Sequence, residues 1–213
     1  MYSIQTMIVT VIAVILSMSI HEVAHGLMSY LFGDPTAKLE GRLTLNPLHH
    51  IDWIGVLCLV ICGFGWAKPV PIDSRYYKDQ TTGIIWTSFA GPVANFLLSF
   101  ICVFLYYAFY KFIPSFMIST FGQYVSLVLQ YTALISTGFG IFNLIPIPPL
   151  DGSKILFSFL PDDKYYRFIS GNQWMQFLFI ALLLTGVLNT PLMMLRSNVI
   201  QIFEVVAKAI LGF

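Results

Sequence analysis

Long stretches without any charged side chain constrain this chain more than any other feature. No Asp, Glu, Lys, Arg or His occurs in five of them: residues 2–20, 53–67, 80–110, 112–150 and 168–195. A helix that crosses a bilayer needs roughly 20 predominantly apolar residues. Three stretches exceed that length, the first is at the limit, and residues 53–67 are too few. The pattern predicts an all-α polytopic membrane protein with four to six membrane segments.

The composition agrees with this class and disfavours others. Hydrophobic residues make up 57% of the chain, charged residues make up 10%, and the mean hydropathy is +0.79, outside the range of ordinary soluble domains. A net charge of +1 without a dense basic patch argues against nucleic acid as a partner. Residues 2–20 lack the basic start and cleavage site of a secretory leader, so we expect a retained helix.

The distribution of basic residues predicts an orientation. If residues 53–67 dip into the bilayer and return, eight of the eleven basic residues share one face of the membrane: Lys38, Arg42, Lys68, Arg75, Lys78, Lys154, Lys164 and Arg167. The positive-inside rule places such a face in the cytoplasm and the N-terminus outside. The tail, residues 198–213, is a further span or an interfacial helix, and the spacing of Glu204 and Lys208 favours the interface.

One charged motif follows the first apolar stretch directly, where charge is expensive. In His21-Glu22-Val23-Ala24-His25, an ionised Glu would cost about 3 kcal/mol at the centre of a bilayer. Two His four residues apart share one face of a helix, and the Glu between them can reach a water bound to the same ion. This arrangement is typical of zinc hydrolases. We therefore predict His21 and His25 as metal ligands and Glu22 as general base.

A catalytic zinc needs a third protein ligand and an open position for water. Asp151 is the candidate, because residues 80–110 cross outward and residues 112–150 cross inward, which returns the chain to the leaflet where the His21–His25 motif ends. A proline-rich break precedes it, and Asn143 at the start of that break is a candidate amide donor to an oxyanion or to the substrate backbone. The alternatives are a helix C-cap for Asn143 and a solvated loop residue for Asp151.

Residues 39–73 are the least helix-like part, because Gly and Pro interrupt them repeatedly. They predict a re-entrant or short β-like region between the first two core helices, whose extended strands could capture an unwound substrate by edge pairing. His49 and His50 are expected at the surface rather than as ligands of a second site. Asn95, in Gly91-Pro92-Val93-Ala94-Asn95, is expected at a kink and close-packing site, and a role supporting the metal site is the alternative.

These motifs together carry a family resemblance. HEVAHG in an apolar helix, followed about 120 residues later by NLIPIPPLDG, resembles the site-2 protease family of intramembrane zinc metalloproteases. SFAGPVANF, GRLTLNPLHHIDWIGV and GFGWAKPVPID are similar to its compact prokaryotic branch without a PDZ domain. Over most of residues 4–160, the resemblance implies a three-helix catalytic core and one Zn²⁺ per chain. It implies that His21, His25 and Asp151 bind the zinc, that Glu22 is catalytic, and that transmembrane proteins are cut in or near the bilayer.

The predicted organisation is a catalytic core in residues 1–167 and C-terminal membrane helices in residues 168–213, in a prokaryotic cell membrane. The expected partners are the lipid bilayer and transmembrane substrates. Helices that gate access would come from the C-terminal region or from a second copy in a homo-oligomer. A metal transporter or channel is disfavoured because the outward halves of the spans carry no ionisable groups. An inert relative acting as a membrane chaperone is disfavoured because Glu22 is present.

Overall fold

The computed structural model describes residues 4–62, 65–160 and 173–213, and every regular element in these ranges is helical. The helices are α1 (Ile4–Leu31), α2 (Thr36–Leu39), α3 (Trp53–Cys62), α4 (Gln80–Phe112), α5 (Pro114–Ile118), α6 (Thr120–Asn143), α7 (Asp151–Phe157), α8 (Gln173–Thr185) and α9 (Asn189–Leu211). Short 3-10 turns lie at Pro47–His49 and Ser74–Tyr76. Lys164 and Arg167, which entered the predicted orientation, lie outside the described residues.

Three helices in the described ranges, α1, α4 and α6, are long and apolar enough to cross a membrane. A fourth candidate is the pair Phe177–Thr185 and Asn189–Leu211, which is bent by 78° at a short break and forms either one broken span or a re-entrant loop. The prediction of an all-α polytopic membrane protein is confirmed. The described residues contain three spans, or four with the bent pair, against the predicted four to six.

The interfaces between α1, α4 and α6 are built from small and polar residues. The fully buried side chains include Ser17, Asn95, Ser99 and Thr137, and the Ser99 hydroxyl bonds the Ala133 carbonyl at 2.9 Å. Large apolar side chains of the same helices are exposed instead: Ile8, Leu97, Ile101 and Leu127. Lipid is as apolar as leucine, so close approach of backbones and hydroxyl bonds hold such helices together.

The region between α1 and α4 differs in part from the predicted β-like structure. Residues 53–62 form helix α3, whose first N–H groups are capped by Asp52. One antiparallel bridge joins Ile51 to Ala67, so the chain returns to where it left, as a re-entrant piece requires. Gly55 permits this return, because a Cβ there would lie 2.1 Å from the Trp66 carbonyl oxygen. The expected extended strands are therefore replaced by an apolar helix and a single bridge, since residues 53–62 contain no proline to break a helix.

Helix α9 packs along the core. The rings of Phe203 and Phe100 meet at 5.6 Å between centroids, and Ala207 is fully buried. At the end of α4, the Lys111 ammonium donates to the carbonyls of Leu211 and Gly212. A positive charge at these carbonyls stabilises the C-terminal end of α9. Residues 198–213 are thus mostly the second half of a helix packed on the core, and α9 and α4 end together.

Candidate metal centre and active site

Helix α1 continues without a break through the histidine motif. His21 and His25 lie on one face with ring centroids 4.5 Å apart, and both are more than nine-tenths buried. The helix ends at Leu31, six residues beyond His25. At a rise of about 1.5 Å per residue, the two imidazoles lie roughly 9 to 15 Å before the end of the helix. The motif is therefore inside the candidate span rather than at its edge.

Asp151 completes the cluster from the first turn of α7. Its Oδ2 lies 3.2 Å from Nε2 of His21 and 3.1 Å from Nε2 of His25, while the two Nε2 atoms are 2.9 Å apart. The ammonium of Lys154 bonds the other oxygen, Oδ1, at 2.9 Å. Gly152 lets the chain turn tightly here, because a Cβ would lie 2.3 Å from the Leu144 carbonyl oxygen.

These three donor atoms fit a zinc ion. Tetrahedral zinc with bonds of about 2.0–2.2 Å holds its ligands roughly 3.3 Å apart, close to the observed separations of 2.9–3.2 Å. Nδ1 of His25 lies 2.6 Å from the carbonyl of Thr87. A carbonyl only accepts, so Nδ1 carries the proton and Nε2 keeps its lone pair for a metal. Elsewhere in the described residues, no group of three His, Cys, Asp or Glu comes as close together.

Helix α4 approaches the two imidazoles through Gly91. A Cβ at this position would lie 2.5 Å from Nε2 of His25 and 2.6 Å from Cε1 of His21, so no other residue fits there without displacing a ring. The predicted close-packing site is confirmed. Four residues further on, Asn95 is fully buried with its amide nitrogen 3.1 Å from Nδ1 of His21. The contact between Asn95 and His21 supports the alternative in which Asn95 assists the metal site.

The carboxylate of Glu22 is half-buried and is held by a distant part of the chain. Its Oε2 accepts the backbone N–H of Val70 at 2.8 Å. Val70 is buried and lies between Pro69 and Pro71, in a segment without regular secondary structure that sequence reasoning did not connect with Glu22. The signal that could have suggested it is the Pro-Val-Pro pattern, in which one N–H stands between two residues that have none.

A hydrogen-bonded chain ties the same segment to α1. Asp34 accepts bonds from the Ser29 hydroxyl at 2.7 Å and from the Asp73 N–H at 2.8 Å. The Tyr77 hydroxyl bridges Ser29 to Thr87, whose carbonyl bonds His25. Burial alone would raise the pKa of Asp34, but these donors and those of the neighbouring threonine outweigh it, so the pKa lies below its usual value. Asp34 is therefore an ionised anchor for the segment over the site.

Three further residues of the sequence analysis have definite positions. Asn143 is the last residue of α6, and the C-cap position falls on Leu144. The Asn143 side-chain amide donates to the Phe139 carbonyl at 3.0 Å, and its role as a donor to an oxyanion stays a prediction. His49 is exposed as expected. The same expectation is wrong for His50, which is 1% exposed. The Lys68 N–H bonds its carbonyl beside the β-bridge, and its Nε2 lies 2.8 Å from the Thr44 carbonyl, so the ring is drawn inward.

Comparison with known proteins agrees with this chemistry. The family model described as Peptidase family M50 matches residues 115–186. YwhC of Bacillus subtilis (strain 168), named as a candidate zinc metalloprotease, is 33% identical over 218 residues, covering 99% of this chain and 97% of that protein. Rip2 of Mycolicibacterium smegmatis, similarly named, is 31% identical over 82% of this chain and 66% of its own length. No solved structure matches.

A membrane-embedded helical core with a His-His-Asp cluster and an adjacent glutamate defines the class of zinc metalloproteases. This chain belongs to peptidase family M50, the site-2 protease family. It is therefore a zinc metalloprotease whose substrates are proteins, and His21, His25 and Asp151 form a cluster that could hold the metal.

Proposed function

We propose that this chain is an intramembrane endopeptidase that cuts transmembrane proteins within or near the bilayer. The observation that carries the proposal is the position of the His21–His25–Asp151 cluster inside an apolar helix of 28 residues. A soluble peptide would have to enter the apolar part of the bilayer to reach a site at that depth. A substrate that is itself a membrane helix can reach the site by moving laterally within the bilayer.

We assign a separate role to each residue of the site. His21, His25 and Asp151 would hold zinc, which would polarise the scissile carbonyl and lower the pKa of a bound water towards about 7. Glu22 takes a proton from the attacking water and delivers it to the leaving nitrogen as the C–N bond breaks, giving a carboxylate and an amine. Asn143 is our candidate donor to the oxyanion, through the amide hydrogen that is not bonded to Phe139.

The orientation we propose places the site towards the cytoplasm. The hydrogen bond between Ser29 and Tyr77 and the contact between His25 and Asp151 bring the end of α1, the start of α4 and the end of α6 together. Lys38, Lys154 and the basic residues before α4 lie at this end. The positive-inside rule then puts the N-terminus outside.

We also propose a division into a catalytic core, residues 1–167, and C-terminal membrane helices, residues 168–213. Packing of α9 against α4, through Phe203 and Phe100, supports a role for the C-terminal helices in framing the route by which a substrate enters. A second copy in a homo-oligomer would supply additional helices to the same route. The cell membrane of a prokaryote is the proposed location.

One experiment tests the proposal. Wild type and Glu22→Gln are purified, their zinc content is measured, and both are given a single-pass substrate and a soluble peptide of the same cleavage sequence. We expect zinc in both proteins, cleavage by wild type alone, and a cut mapped by mass spectrometry within or next to the membrane segment. Equal cleavage of the soluble peptide would contradict the intramembrane assignment. Cleavage by Glu22→Gln would contradict the role of Glu22.

A further inference from the structure

The side-chain amide of Asn95 lies against the ring nitrogen of His21 that faces away from the metal cluster. Asn95 is fully buried in a candidate span, where an unsatisfied polar group is expensive. Its side-chain nitrogen lies 3.1 Å from Nδ1 of His21 on one side. On the other side is Ser136 of α6, whose hydroxyl is 2.9 Å from the Asn95 carbonyl and 3.3 Å from the side-chain oxygen.

If His21 binds zinc through Nε2, the neighbour of its Nδ1 must be a hydrogen-bond acceptor. If Nε2 of His21 gives its lone pair to a metal, the ring proton is on Nδ1 and needs an acceptor. Asn95 supplies one when its amide is turned over, so that the oxygen takes the place of the nitrogen beside His21 and the NH₂ faces the Ser136 hydroxyl. The two ends of an amide are nearly equal in size, so this orientation fits the same volume. The hydroxyl then accepts from the NH₂ while donating to the Asn95 carbonyl.

The opposite orientation is incompatible with a metal. An NH₂ group facing His21 needs a lone pair on Nδ1, so the ring proton moves to Nε2. There it points at Oδ2 of Asp151, 3.2 Å away, and occupies the position that a metal requires. The direction of one amide therefore decides whether His21 can ligate.

One face of helix α4 carries a hydrogen-bond acceptor for each of the two histidines. Thr87, Gly91 and Asn95 are four residues apart and share a face. The Thr87 carbonyl accepts from His25 at 2.6 Å, and Gly91 leaves room for both rings. Asn95 is the counterpart of the Thr87 carbonyl for His21.

We propose that Asn95 is a positioning residue that holds His21 in its metal-binding tautomer by accepting the Nδ1 proton, with Ser136 fixing the direction of the amide. The inference rests on the proposed ligation by His21. Asn95 does not touch substrate, and its effect is on metal affinity. Partners of this kind typically change affinity by about 10- to 100-fold.

The test measures zinc affinity by chelator competition in the purified full chain, with four variants. Asn95→Leu removes the acceptor and should bind zinc about 10- to 100-fold more weakly, whereas Asn95→Asp keeps an acceptor and should stay within about threefold of wild type. The visible spectrum of the cobalt-substituted protein should change in Asn95→Leu and be retained in Asn95→Asp. Wild-type affinity in Asn95→Leu, or an equal loss in Asn95→Asp, would overturn the proposal.

Two serine variants keep the test decisive if Asn95→Leu does not fold. Ser136→Ala and Ser99→Ala each remove one buried hydroxyl between α4 and α6, but Ser136 contacts Asn95 whereas Ser99 bonds Ala133 and Thr137. We expect weaker zinc binding in Ser136→Ala alone, and equal affinities in the two variants would overturn the proposal. These affinities do not depend on cleavage. If the proposed protease function fails, the wild type will be inactive, but the zinc affinities of wild type and the four variants will still differ in the same order.

Discussion

The backbone N–H of Val70 donates a hydrogen bond of 2.8 Å to the carboxylate of Glu22. Val70 is the one residue of Pro69-Val70-Pro71 that has an N–H to give. The irregular segment that contains Val70 is thus fixed to the carboxylate that we propose as general base. The position of that carboxylate therefore depends on a single backbone amide from a segment 48 residues away.

Removal of this amide should impair catalysis without removing the metal. In Val70→Pro the donor is lost, and a hydrogen bond to a charged group is worth about 1.5 kcal/mol, which corresponds to roughly tenfold in rate. We expect cleavage to fall by about that factor while zinc content is unchanged. Val70→Ala keeps the N–H and serves as control. Similar losses in Val70→Pro and Val70→Ala would show that the side chain matters rather than the hydrogen bond.

Gly91→Ala should disrupt the metal site. The added methyl would lie 2.5 Å from Nε2 of His25, and overpacking of this kind costs about 1–3 kcal/mol. We expect zinc affinity to fall by about tenfold or more, measured by chelator competition. Gly138→Ala is the matched control, since a Cβ there meets only a side-chain carbon of Arg196 at 3.8 Å. Full zinc affinity in Gly91→Ala would contradict the close approach of α4.

Asp34→Asn should loosen the segment over the site. Ser29 and the Asp73 N–H donate to Oδ2, and Thr36 donates twice to Oδ1. An asparagine has one uncharged oxygen, so one of these two pairs of bonds is lost and the other is weakened, at a cost of about 2 kcal/mol at neutral pH. Thermal unfolding in detergent measures the loss. Asp73→Asn is the control, because it keeps the backbone N–H that Asp34 binds. A melting temperature of Asp34→Asn equal to that of the control would contradict the anchoring role.

The same anchor predicts a dependence on acid. The pKa of Asp34 is lowered in the folded protein, so its contribution is fully present above the ordinary value for aspartate, about 3.9. It is lost as the pH falls through the lower folded pKa. The difference in stability between wild type and Asp34→Asn should therefore shrink below about pH 4. A difference that stays constant down to strongly acidic pH would contradict an ionised Asp34.

Much of the site could be predicted from the sequence because the signals are local or topological. The spacing of His21 and His25 needs only helical periodicity, and Asp151 follows from counting membrane crossings. The bond between Val70 and Glu22 joins residues 48 apart through an irregular segment, and no periodicity reports such a pairing. The burial of His50 likewise depends on one β-bridge. Asn95 stood between these cases, since a buried amide in a span must have a partner but the sequence does not name it.

Loss of Asp151 should lower zinc content while leaving the fold intact. Asp151→Ala leaves two histidine ligands, too few for a catalytic zinc site. We expect less than one zinc per chain by elemental analysis. Glu204→Ala removes a partly exposed carboxylate on α9 that pairs with Lys208 and is not part of the metal cluster, and it should retain full zinc content. Full zinc content in Asp151→Ala would exclude Asp151 as a ligand.

X-ray absorption at the zinc edge of the purified chain tests the central claim most directly. We predict one zinc per chain with two imidazole nitrogens and oxygen ligands at about 2.0–2.2 Å, and one oxygen fewer in Asp151→Ala. Sulfur at about 2.3 Å would mean ligation by cysteine, and a spectrum without imidazole would exclude His21 and His25. Either of these two results would contradict the His-His-Asp site from which the account is built.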